Sequence, residues 1–210
     1  MHLTRAPLVI DDAVRALARS IRADRDPLYL SITACSQDVA LDCFNNVRRR
    51  IDRDGGALRT GWAIWEWPRV YVEAEHHAVW EDPEGALYDI TPGQTPNQRR
   101  RLFLDDDLAT YDFDNPGILR DNQRLALSDS TLVPAFFAAA AERTRILNLI
   151  PGVGAVSTDL ATARLLEAAT TQVARLQAQI AMTHTPARAP CFCGGRKLFK
   201  QCHGRRPFRT

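Results

Sequence analysis

The chain has 210 residues, 45% hydrophobic and 25% charged, a balance that suits a globular core and excludes a disordered or fibrous chain. Its longest apolar run, Leu132 to Ala141, covers about ten residues, too few for a membrane span of roughly 18, and Asp11 and Asp12 come too early for a signal-peptide core, so a cytoplasmic protein without membrane contact is expected. The net charge of +2 conceals an asymmetry: residues 188–210 hold seven basic side chains and no acid, leaving residues 1–187 at −5.

In chain order, residues 11–23 place Val14, Leu17 and Ile21 on one helical face. Residues 39–51 repeat the spacing with Val39, Cys43, Val47 and Ile51, and stop at Gly55 and Gly56, a helix C-terminus. The pattern then changes. Aromatic and β-branched runs over 62–67, 70–80 and 86–90, separated by Pro68 and by Asp82-Pro83-Glu84-Gly85, predict three strands of an antiparallel meander. A helix followed by a meander makes this region α+β, and we bound it at 1–115.

Residues 116–183 read as a helical extension. Pro134 suits the first turn of a helix running to about Leu149, and Asp159 opens another with Leu166, Val173, Leu176 and Ile180 on one stripe. The 159–182 helix leans on the body or pairs with its copy in a homodimer. Between the two lies Pro151-Gly-Val-Gly, which resembles the hairpin of helix-hairpin-helix DNA-binding modules. It lacks adjoining basic residues and precedes Asp159, so a plain turn is expected and a DNA contact is not. Residues 184–189 have linker composition, so the segment after them is expected to move independently.

Five cysteines, an odd count without an export signal, argue against a disulfide framework. Cys191, Cys193, Cys202 and His203 lie within 13 residues around a Gly194-Gly195 turn. Four such ligands suit one tetrahedral Zn2+, which would supply most of the folding energy of so short a segment. Of the 27 basic residues only Lys197 and Lys200 are lysine, which we read as the codon usage of a GC-rich genome. The arginine triplets at 48–50 and 99–101 are therefore poor evidence of a binding surface.

The first half offers a cysteine on a helix, a histidine on a strand and an aspartate on the next strand. Thiol catalysis needs those parts: a helix N-terminus to favour the thiolate, an imidazole to carry the proton and a carboxylate to orient the ring. With Asp42 as N-cap, Cys43 falls in the first turn. With a start at Ser36 it falls mid-helix, where sharing a face with Val39 and Val47 makes it a packed core thiol. Alternation along the strand points His76, with Val72, Ala74 and Trp80, towards the core and His77 the other way. Asp89 orients a histidine or merely begins a turn with Thr91 and Pro92.

Two resemblances extend this reading. Cys43-Phe44-x-Asn46, His77-Ala78-Val79 and Asp89-x-Thr91-Pro92, over residues 30–95, resemble the papain-like superfamily and in particular its transglutaminase-like branch. That resemblance implies an α+β papain-like/transglutaminase-like fold, a cysteine hydrolase or acyltransferase acting on a protein or peptide substrate, and a Cys43–His77–Asp89 site. It favours His77 over His76 and carries Gln37, six residues before Cys43, over as the oxyanion residue. Residues 190–204 resemble the SEC-C zinc-binding motif, with Cys191, Cys193, Cys202 and His203 at the ligand positions and Phe199 at the aromatic one. Arg196 stands where glycine is usual and Phe192 where proline is usual. The motif implies an accessory module that contacts protein partners or ribosomes, here with a basic tail to 210. A rival without chemistry is an adaptor or nucleic-acid-binding protein using that basic tail.

Overall fold

The structure, a computed structural model, describes residues 3–95, 97–114, 118–150 and 159–205. They form two compact units, one built from 5–66 and 72–125 and the other from the described parts of 1–4, 67–71 and 126–210. The division falls at 125/126 where the sequence suggested 115/116, and the tip of a hairpin belongs to the second unit.

In the first unit, α1 (Asp12–Ile21) is capped by Asp11, whose carboxylate accepts the Val14 amide at 2.9 Å. It buries Val14, Leu17 and Ala18, the face expected from their spacing. β1 (Leu28–Ser31) follows, then α2 (Cys43–Asp54), β2 (Ala57–Trp67), β3 (Tyr71–Glu81), β4 (Leu87–Tyr88), β5 (Arg100–Asp105) and β6 (Gln123–Ala126). The meander is present as β2, β3 and β4, but the sheet is larger. Its order is β1-β5-β2-β3-β4, with β6 on β3, and the β1–β5, β2–β5 and β3–β4 pairs are antiparallel.

The two ends of that order meet. Ile32 bridges Asp89, the Thr33 amide donates to the Asp89 carbonyl at 2.8 Å, and the Asp89 amide donates to Ser31 at 3.1 Å. The sheet is therefore nearly closed, which leaves it an inner and an outer face. Trp62, Ile64, Val72, Ala74, Leu102 and Leu104 pack on α1 outside. Leu30, Val79 and Phe103 fill the inside, next to the polar His77, Asp89 and Arg101. Gly61 makes room for this: a Cβ there would lie 2.2 Å from the Leu104 carbonyl oxygen and 2.6 Å from the Phe103 ring. The α2 helix ends at Gly55 and Gly56, both at positive φ (77° and 86°), as their sequence suggests.

The second unit holds α3 (Leu132–Leu147) and α4 (Leu160–His184), around a core of Trp67, Val70, Tyr71, Val133, Phe136, Leu176, Ile180 and Ala181. Asp159 caps α4 by accepting the Ala161 and Thr162 amides at 2.9 and 3.0 Å. Leu176 and Ile180 of the expected stripe are buried.

Three expectations are corrected. Residues 116–183 are not helical throughout: 118–131 contain β6 and turns, and the Ser128 and Ser130 hydroxyls accept the Ser130 and Leu132 amides, local bonds that compete with a helix. The 184–189 segment is not a free linker either. α4 runs to His184, the Phe199 amide donates to Ala189 at 2.8 Å and the Lys200 amide to Ala187 at 3.0 Å, and Phe192 packs against the helical core. Val39 is outside α2 and 52% exposed, so it is not part of a buried stripe. The Pro-Gly-Val-Gly turn lies outside the described residues.

Candidate functional site

α2 begins at Cys43 with Asp42 as its N-cap residue, so the sulfur sits in the first turn. Asp42 makes no side-chain cap hydrogen bond, because its carboxylate is engaged by Asn45 Nδ2 at 2.7 Å and by Arg49 at 3.5 Å. The first-turn amides beside the sulfur are thus unclaimed by the cap, and the positive end of the helix faces the thiol.

The two adjacent histidines both touch this turn. His77 feels the charge of Cys43, which raises its pKa, and its Nε2 meets Asp89 Oδ2 at 3.1 Å. With Nε2 so occupied, Nδ1 is the ring nitrogen left for the thiol. His76 takes the other face. Its Nε2 bonds the Ala109 carbonyl at 2.7 Å, its ring lies 5.0 Å from Phe44 and 5.7 Å from Trp62, and burial pushes its pKa down. Alternation separates the pair as expected, and His77 is the one that meets both the thiol and the carboxylate.

Asn46 and Thr91 hold the site together. Asn46 is buried, accepts the Val39 amide at 2.9 Å, and donates to the Val39 carbonyl at 2.8 Å and to Thr91 Oγ1 at 3.4 Å. This ties the loop before α2 to the strand end that carries Asp89. The Thr91 amide donates to Asp89 Oδ1 at 2.8 Å. Asp89 is completely buried and is opposed by a second cation, Arg101, whose Nε stands 2.5 Å from Oδ2 as an ion pair. Arg101 was hidden in the sequence by the arginine triplet around it. Its signal was position: it opens the apolar run Leu102-Phe103-Leu104 and alternates onto the same strand face as Phe103.

Burial lowers the His77 pKa, but the charges of Asp89 and Cys43 and hydrogen bonds to both outweigh it and raise the value from 6.5 to about 10. Burial likewise raises Asp89, and His77 and Arg101 overcome it, holding the carboxyl below its ordinary range. Tyr111 stacks on Phe44 at 3.7 Å, and burial and the nearby Cys43 and Asp42 raise its phenol. Gln37 lies on an exposed turn, and among the described residues no hydrogen bond joins it to the other three.

The histidine shift carries a pH dependence. A group whose pKa is higher folded than unfolded stabilises the protein fully below its unfolded value, about 6.5, and loses that stabilisation as pH rises through about 10. Urea unfolding should show stability dropping by several kcal/mol between about pH 6.5 and 10, since one unit is worth roughly 1.4 kcal/mol. His77→Gln should flatten the curve; parallel curves for the two proteins would remove the thiol–imidazole pair from the account.

A second cluster stands in the helical unit. Cys191, Cys193, Cys202 and His203 place their ligand atoms within 4.8 Å of one another, a set that could hold a metal ion. The distances fit one: Cys193 and Cys202 sulfurs are 3.8 Å apart, and His203 Nδ1 lies 3.2 Å from Cys191 and 3.4 Å from Cys202. A tetrahedral ion at roughly 2.3 Å from sulfur and 2.0–2.1 Å from nitrogen requires edges of about 3.8 and 3.5 Å. Local backbone makes this shape. The Gly194 amide closes a turn on the Cys191 carbonyl at 3.1 Å with Gly194 at φ 78°, and a 3-10 turn at Phe199–Gln201 presents Cys202. Against burial, hydrogen bonds from the backbones of Cys193 and His203 lower the Cys191 thiol to about 6.

Comparison with protein-family models, with curated proteins and with solved structures finds no match for this chain.

Proposed function

We propose that the chain is a cysteine-nucleophile acyl-transfer enzyme of papain-like, transglutaminase-like type, with a zinc-binding, SEC-C-like accessory module. One observation carries the reading: a single buried imidazole, His77, bonds a buried carboxylate and is electrostatically coupled to a helix-N-terminal cysteine. In the proposed cycle His77 takes the Cys43 proton and the thiolate attacks an amide carbonyl carbon. The resulting oxyanion is received by first-turn amides of α2, a role that the exposed Gln37 is poorly placed to share. The carbon–nitrogen bond then breaks, and His77 returns its proton to the departing amine. Water or a second amine attacks the thioester, gives a proton to His77, and releases the acyl group and the thiol. Water makes the enzyme an amidase or peptidase; an amine makes it a transglutaminase. Asp89 orients the ring throughout.

For the module, three cysteine sulfurs and one imidazole favour zinc over hard cations. The exposed Arg188, Arg196, Lys197, Lys200 and Arg205 around it favour an acidic protein or ribosomal partner.

Alkylation tests the reading. Metal-loaded protein treated with iodoacetamide at pH 6 should be modified at Cys43 and not at Cys35, as located by mass spectrometry. Cys43→Ala should abolish both modification and turnover while changing stability by no more than about 1 kcal/mol. Equal sluggishness of the two thiols would favour a non-catalytic adaptor.

A further inference from the structure

The thiol reading leaves one buried ion without a task. Arg101 is 4% exposed, and its Nε stands 2.5 Å from the same Asp89 oxygen that His77 Nε2 meets at 3.1 Å. The other carboxylate oxygen is held by the Thr91 amide at 2.8 Å. Arg101 is itself fixed from several sides. Its Nη2 donates to the carbonyls of Thr91 at 3.3 Å and Pro92 at 3.4 Å, and its guanidinium carbon lies 5.2 Å from the centre of the Trp65 ring. A planar cation so confined is built into the inner face of the sheet rather than left over from the surface.

Counting charge shows what it does. With Cys43 as thiolate and His77 as imidazolium, the four groups alternate in sign and sum to zero. After acylation the sulfur is neutral and His77 has given up its proton, so the imidazole is neutral too. Asp89 would then be a lone carboxylate with no solvent access, which favours taking up a proton and losing its hold on the ring. Arginine stays charged throughout, so with Arg101 present the cluster is neutral at both ends of the proton's path.

We infer that Arg101 is a positioning residue for the thiol site, keeping Asp89 ionised and in place while the proton passes between Cys43 and His77. The inference rests on Cys43 being the nucleophile proposed above. Its consequence is electrostatic: without the cation, the unshielded carboxylate opposes the thiolate.

The test follows the alkylation rate of Cys43 in the full-length, metal-loaded protein from pH 4 to 10. Arg101→Met should move the midpoint of the profile up by at least one pH unit and slow the reaction at pH 6 about tenfold or more. Arg101→Lys, which keeps the charge and loses the fork, should recover at least half of that shift. An arginine that only packs would lower the melting temperature of both variants and leave both midpoints at the wild-type pH, and that result would overturn the inference. Should Arg101→Met not fold, Arg101→Gln, able to donate to Thr91 and Pro92, replaces it with the same expected shift and the same contrary outcome. Failure of the underlying reading looks different: wild-type Cys43 would then react no faster than Cys35 at pH 6.

Discussion

Asp89→Ala is expected to cost the sheet unit about 3–5 kcal/mol, the range for removing one partner of a buried ion pair. Two cations share this carboxylate, and among the described residues Arg101 has no other anionic partner. His77 is 3% exposed, and the other bonds of Arg101 go to backbone carbonyls, which cannot neutralise it. Removing Asp89 also frees the Thr91 amide and so loosens the strand end that meets β1. His77 escapes by giving up its proton; Arg101 cannot. In a chain of this size the loss corresponds to a fall of roughly 10 °C or more in melting temperature. Asp89→Asn keeps the volume and one acceptor and should cost less, about 1–3 kcal/mol, by the ordinary price of an altered buried hydrogen bond. Thermal and urea unfolding measure both. A change below about 1 kcal/mol in Asp89→Ala would mean that Arg101 and His77 reach solvent or other partners, and the buried cluster would lose its physical basis.

Local signals make much of this site legible in the sequence. Asp42 before Cys43, the strand alternation that separates His76 from His77, and the short turn to Asp89 are properties of neighbours in sequence, and each recurs in the structure. Closure of the sheet was not legible. β1 has only four residues and pairs with β5 more than 65 positions later, Leu28 opposite Phe103, so no local pattern announces the contact. Arg101 was missed with it, since its burial depends on that closure. The reading of 39–51 as one helical face failed at Val39 because Asn46 uses its side chain to bond that residue's backbone, holding it in a loop ahead of the helix. Composition misled in the same way at 184–189, where residues typical of a linker supply carbonyls to amides of the cysteine-bearing loop.

Removal of metal is expected to undo the C-terminal loop and to be felt in the helical core. The loop has almost no apolar interior of its own: Phe199 is buried, and Phe192 lies 5.9 Å from its ring and 4.8 Å from that of His203. A bound metal holds cysteine ligands as thiolates and ties the two ends of the loop together, a constraint that is lost with the ion. Phe192 also packs against the core that contains Leu176, Ile180 and Ala181, so a loosened loop withdraws an aromatic ring from the last turns of α4. Structural zinc sites contribute about 10–16 kcal/mol over four ligands, roughly 3 kcal/mol each, so Cys202→Ser should weaken metal binding about a hundredfold. Cobalt substitution reads this directly: the full ligand set should give the visible bands of a tetrahedral ion and sulfur-to-metal charge transfer, reduced in Cys202→Ser. Chelation should speed hydrogen exchange at the amides of Phe199 and Lys200, which bond Ala189 and Ala187, while leaving the alkylation profile of Cys43 unchanged. An apo protein with unaltered exchange in residues 186–204 would show that the loop folds without metal, and that the four ligand atoms meet for another reason.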